Sequence, residues 1–235
     1  MDSILSGFSS ALTLIGTLDR ELLRIIWMSL QVSGSALVIA TLLGLPLAAF
    51  LGLKRFFGRG AIINLLNTFM GLPPVVVGLF VYLLLSRRGP LGFLGLLYSP
   101  SAMVLAQTIL ALPIIGALCH SAIVNVPSVI RQAARTLGAT PSQEAVLVIR
   151  EARYGIMAAV IAGFGRVMAE VGAILMVGGN IAGYTRVMTT TIALETDKGN
   201  FELALALGII LLTISLLINL ALRMIQKRGA PGEKR

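Results

Sequence analysis

Four stretches of this chain run for at least twenty residues without an aspartate, glutamate, lysine or arginine: residues 25–53, 61–85, 101–124 and 203–222. Each is long enough, as a helix, to cross the roughly 30 Å hydrocarbon core of a bilayer. A fifth, residues 154–177, is interrupted only by Arg166 and Glu170 among charged side chains. A lipid-exposed segment must pair its own backbone N–H and C=O groups, and a helix does so within one strand of chain. The expected fold class is therefore an all-α integral membrane protein with about five transmembrane helices. Composition agrees: 12% of residues are charged, against roughly 25% in an ordinary soluble domain.

Residues 3–18 are also uncharged but short for a span. Ile4, Phe8, Leu12, Ile15 and Leu18 recur at helical spacing, with Ser6, Ser9, Ser10, Thr13 and Thr17 on the other side. This pattern predicts an amphipathic helix lying on the membrane over residues 1–24, with a short sixth span as the alternative. Residues 25–225 form the membrane domain and residues 226–235 a basic tail. Of nineteen lysines and arginines, twelve fall beside one membrane face: Lys54, Arg55, Arg59, Arg131, Arg135, Arg150, Arg153, Arg223, Lys227, Arg228, Lys234 and Arg235. Six (Arg20, Arg24, Arg87, Arg88, Arg186 and Lys198) fall beside the other, together with most of the acidic residues. The positive-inside rule then predicts an external N-terminus and a cytoplasmic C-terminus. The net charge of +9 is thus a topology signal, and nucleic acid is not an expected partner. Cys119 is the sole cysteine, so no disulfide forms within the chain, and the start of the chain lacks the basic region of a cleaved signal peptide.

Three places should interrupt the spans. Residues 70–74, Met-Gly-Leu-Pro-Pro, lie inside the second; Pro113 lies midway in the third; Gly178-Gly179-Asn180 ends the fourth. Broken helices are common where half-helix ends face a substrate path. Arg166 and Glu170 are spaced to pair on one helix face. A lone charge in lipid is costly, so they face protein or water, either as an ion pair that fixes packing or as a gate that attracts anions. Asn64 and Thr68 share a helix face; they line a path or hold helices together, and the other polar span residues, Asn67, Gln107 and Thr108, are open to the same two readings. Asn64, Thr68, Pro73, Pro74, Arg166 and Glu170 are the expected path or gate residues. His120 has no acidic or thiol partner at ligand spacing, so packing or hydrogen bonding is expected of it, and no metal site.

No phosphate-binding loop, H-E-x-x-H, G-x-S-x-G or Cys/His cluster occurs. The chain is not expected to be an enzyme or to bind a cofactor. A self-sufficient secondary transporter or channel would need ion-coupling carboxylates in several spans or internal repeats; the spans hold one carboxylate, Glu170.

The cytoplasmic stretch 131–153, RQAARTLGATPSQEAVLVIREAR, is polar between two apolar runs. Gln132-Ala133-Ala134, three residues, then Gly138 resembles the loop motif of ABC-importer permeases: E-A-A, three residues, G, nine residues, I, one residue, L-P. Val148 stands at the isoleucine; Gln132 replaces the acid and Arg150-Glu151 replace Leu-Pro. GLPPVVVGL (71–79) is similar to a segment of molybdate- and tungstate-type permeases, and residues 164–208 resemble the tungstate-type subunit in particular.

The resemblance implies a type I ABC-importer permease fold in the cell membrane, carrying tungstate or a similar oxyanion inward by alternating access. The same machine for molybdate, sulfate or another small solute is the alternative. It further implies a second copy of this chain, two cytoplasmic ATPase subunits holding ATP and Mg, and an external substrate-binding protein. The coupling residues would be Arg131, Gln132, Ala133, Ala134, Arg135, Gly138, Ala139 and Pro141. A short helix over residues 129–137 would end at Gly138, with Pro141 blocking its continuation, and Arg131 and Arg135 would face acidic partner residues. Asn180, Thr185, Arg186, Glu195 and Asp197 are the expected docking residues for the external protein.

Overall fold

The computed structural model describes residues 20–228, and every regular element among them is helical. The order is α1 (Arg20–Leu53), α2 (Arg59–Phe69), α3 (Pro74–Leu85), a 3-10 turn (Gly92–Leu94), α4 (Pro100–Val124), α5 (Ser128–Thr136), α6 (Pro141–Glu151), α7 (Arg153–Met168), α8 (Gly172–Gly178), α9 (Met188–Asp197) and α10 (Phe201–Arg228). The interfacial helix expected over residues 1–24 lies outside the described residues up to residue 19; Arg20 onward belongs to α1. Of the expected tail, residues 229–235 also lie outside them, while α10 runs on to Arg228.

Three helices, α1, α4 and α10, are individually long and apolar enough to cross a membrane. The count rises to five if α2 with α3, and α7 with α8, each make one span. Those two pairs are sharply bent, by 105° and 59°. The bend between α2 and α3 falls at residues 70–73. Pro74 sits in the first turn of α3, where its missing N–H would have had no partner, so the two prolines begin a helix here. Pro113 behaves differently from expectation: α4 passes through it unbroken. The bend in the fourth segment lies at residues 169–171, ahead of the expected Gly178 stop; that stop is also real, with Gly179 and Asn180 both at positive φ.

α4 is the axis of the bundle. Two thirds of its most apolar window is buried, against 28% for α1 and 22% for α10, which therefore lie at the periphery. α1 meets α4 through a stripe of small residues four apart, Ala36, Ala40, Gly44 and Ala48, all buried. Small side chains let membrane helices approach closely where no water is available to drive them together. The core has two main compartments. One joins Val77 and Val81 of α3, Met103 and Leu110 of α4, and Ala173 and Val177 of α8. The other joins Ala40 and Ala48 of α1, Ile115 and Ile123 of α4, Val148 of α6 and Ala159 of α7. They meet along α4 between Leu110 and Ala111, and the buried Gln107 and Thr108 lie just beside that boundary.

Candidate functional site

The central site is built from the two bends. Arg166 stands in the last turn of α7, and one guanidinium nitrogen donates to the carbonyl of Leu72, 3.3 Å away in the bend between α2 and α3. The same nitrogen lies 4.0 Å from Glu170, so the expected pair forms, though loosely. Glu170 lies past the end of α7 and is 3% exposed. Its other oxygen accepts from the backbone N–H of Ala173 at 2.9 Å, satisfying one of the orphan donors at the start of α8. Its own carbonyl accepts from the Thr189 hydroxyl at 2.8 Å, which ties the bend to α9. The bends at residues 70–73 and 169–171 are thus fastened to one another. Pro73 is exposed beside them and Pro74 half-buried. Asn64 and Thr68 are both exposed on α2, the Thr68 hydroxyl donating to the Asn64 carbonyl at 2.8 Å.

The surface expected to face the cytoplasm is α5 and α6. α5 ends as expected: Gly138 has φ +80°, its N–H donates to Arg135, and the N–H of Ala139 donates to Ala134. This paired closure is a Schellman cap, which needs a residue at ease with positive φ. Pro141 begins the next helix, where the sequence reading had it only blocking the last. Thr140 caps α6 by accepting from Gln143, and Gln143 reaches back to the N–H of Thr140. Arg135 is already engaged within the chain: it grips Glu144 of α6 through two bonds of 2.8 and 2.9 Å, which holds the Glu144 carboxyl below the usual carboxylate range. Arg131 reaches the carbonyl of Ile123, at 2.9 Å, in the last turn of α4. Gln132, Ala133 and Ala139 remain on or near the surface, whereas Ala134 is buried.

The segment after α8, expected to be external, contains an unanticipated helix, α9. Of the five expected docking residues, Asp197 is exposed, and Asn180 and Arg186 are half-buried. Thr185 and Glu195 point inward. Thr185 accepts from the N–H of Ile181 and donates to the carbonyl of Gly178, which shapes the loop. Glu195 binds Lys198 and Asn200; the Lys198 ammonium and, less strongly, the Asn200 amide hold its carboxyl below the usual range. Arg186 lies 3.8 Å from Glu21 at the start of α1, on a cleft of about 290 Å³ between α1, α9 and α10.

The family described as "Binding-protein-dependent transport system inner membrane component" matches residues 44–230. The chain belongs to this family. Among its relatives are the "Probable anion ABC transporter permease protein" of Haloferax volcanii, 47% identical over 84% of this chain and 88% of that protein. The "Tungstate uptake system permease protein TupB" of Peptoclostridium acidaminophilum is 41% identical over 97% of this chain and 100% of that protein. The fold matches a solved inward-facing conformation of the MetNI methionine ABC transporter with a TM-score of 0.74, covering 90% of this chain and 97% of that one at 19% identity.

In this inner membrane component, sequence reasoning missed how the fourth segment is held. Gln107, fully buried, donates to the carbonyl of Val167 at 2.9 Å, so an α4 side chain fixes the end of α7. Its amide oxygen has no partner among the described residues, and Gln107 lines, with Ser29, Ser33 and Thr189, a cavity of about 10 Å³, close to the room one water molecule needs. The available signal was an amide in a charge-free run, noticed without the partner that explains it. Arg59, one of the cations expected to set topology, also has a role within the fold. It donates to the Leu51 carbonyl at 2.6 Å near the end of α1 and stands 3.5 Å from His120, which thus has a polar neighbour.

Proposed function

We propose that this chain is the membrane permease subunit of an ATP-driven importer for tungstate or a closely related oxyanion. The observation that carries this reading is the near-complete alignment with a tungstate uptake permease, at 41% identity over the whole of that protein. The chain crosses the membrane five times with its N-terminus outside and its C-terminus in the cytoplasm, and it works as a pair of identical copies. The α5–α6 surface receives a separate ATPase subunit that holds ATP and Mg. The external segment carrying Asp197, Arg186 and Asn180 meets the substrate-binding protein. The path runs beside the two bends, with Asn64, Thr68, Pro73 and Pro74 along α2 and the start of α3.

Energetics support an ATP-driven machine over a channel. A dianion entering a cell negative inside works against about 4.6 kcal/mol per 100 mV, at roughly 2.3 kcal/mol for each charge. An open pore would lose such an anion. The test is ATPase stimulation of the reconstituted complex by its binding protein, loaded in turn with tungstate, molybdate, sulfate and phosphate. The strongest stimulation is expected with tungstate; silence with all four overturns the reading.

A further inference from the structure

We propose that Arg166 is a transit contact for the oxyanion midway through the membrane and that Glu170 is the counter-ion it exchanges for the passing ion. This rests on the importer reading above. A guanidinium carries five N–H donors. That of Arg166 makes one long hydrogen bond, to the Leu72 carbonyl at 3.3 Å, and one ion pair at the 4.0 Å limit, while its Nε has no partner. The side chain is 30% exposed, against 3% for Glu170. The carboxylate is committed, buried and capping α8; the cation is not. Among the described residues the five apolar segments hold no other lysine or arginine between their ends.

A charge left under-coordinated within a membrane span is costly unless water or a counter-ion reaches it. Here it lies where two helices are interrupted, within two residues of the start of α3, whose dipole presents its positive end. A tetrahedral dianion offers adjacent oxygens that match the two-pronged donor of an arginine. Glu170 sets the opposite requirement. Its negative charge beside the same guanidinium repels the dianion and keeps the contact weak, and a transported ion must leave as readily as it enters. The Leu72 carbonyl and Glu170 then occupy the guanidinium when no ion is passing, so the contact fastens the two bends only in the empty state.

The test uses the complete complex in proteoliposomes, reading tungstate taken up per ATP hydrolysed. Arg166→Gln is expected to lower that ratio about tenfold or more, the loss of a charged hydrogen-bond pair. Arg166→Lys, which keeps the charge but not the fork, should fall between this variant and the wild type. A second measurement needs no variant: modification of Arg166 by an arginine-directed dicarbonyl reagent, followed by peptide mass, should be slowed by free tungstate and not by sodium chloride of equal ionic strength. An unchanged uptake ratio in Arg166→Gln overturns the proposal, and so does labelling that tungstate does not slow. Where Arg166→Gln fails to assemble, Arg166→Lys and the wild-type labelling decide. Loss of oxyanion-stimulated ATPase in the wild type would instead count against the importer reading, and the labelling result separates the two failures.

Discussion

Gly138 shows how one residue sets the shape of the α5–α6 surface. Its φ of +80° turns the chain between α5 and α6, and space for a side chain is open around it, so backbone conformation alone requires glycine. Leucine would pay roughly 1–2 kcal/mol to hold the same turn. We therefore expect Gly138→Leu to assemble but to misdirect α5 against α6, lowering substrate moved per ATP hydrolysed in the reconstituted complex. A wild-type ratio would show that the turn carries no movement. The Arg135–Glu144 pair spans this turn, and as an exposed pair it steers the two helices more than it stabilises them. Sequence spacing marked Gly138 for its cap. It did not reveal that Arg135 had a partner within its own chain, because the partner sits nine residues away across a turn.

At the scale of elements, the close crossing of α3 and α8 joins the second halves of the two bent segments. A β-carbon on Gly78 would stand 2.8 Å from the Cα of Ala173, a backbone atom that cannot step aside. Gly78→Val should destabilise the complex by about 1–3 kcal/mol through overpacking, read as a lower Tm in detergent; an unchanged Tm would deny the crossing. The helices that were legible in sequence are those set by long uncharged runs: α1, α4 and α10. Bends were legible only in part. Pro73-Pro74 marked one correctly, but Pro113 marked none, because a proline removes one donor and a well-packed central helix tolerates that loss. The bend at Glu170 had no proline to announce it. Its physical sign was the carboxylate itself, since a buried acid inside an apolar run needs donors, and the freed N–H groups at a helix start supply them. α6 was hidden behind Pro141, taken as a stop when Thr140 and Gln143 already spelled a start.

For the whole molecule, the expectation of orientation can be checked with few changes. Cys119 is buried and is the only cysteine, so Cys119→Ser supplies a clean background. In that background, Asp197→Cys should react with a membrane-impermeant maleimide applied to intact cells, and Ser142→Cys should react only after permeabilisation. The reverse pattern would invert the topology. The exposed apolar side chains fit a body embedded in lipid: Leu212, Leu216 and Leu217 on α10, and Val75, Val76, Leu79 and Phe80 on α3, stay largely uncovered among the described residues.

Arg59 and Arg131 each reach back to a carbonyl in the last turn of the long helix that precedes them, Leu51 of α1 and Ile123 of α4. Both also belong to the cationic set that the positive-inside rule expects on the cytoplasmic side. On that topology the two duties would fall in sequence on the same side chain during membrane insertion. The trailing arginine would first resist translocation and so set direction. It would then fold back onto the open end of the helix it had anchored. On the expected topology, insertion and the first step of folding would be one event at each of these two helix ends, and neutralising either arginine would both weaken the orientation signal and leave a helix-end carbonyl without its side-chain donor.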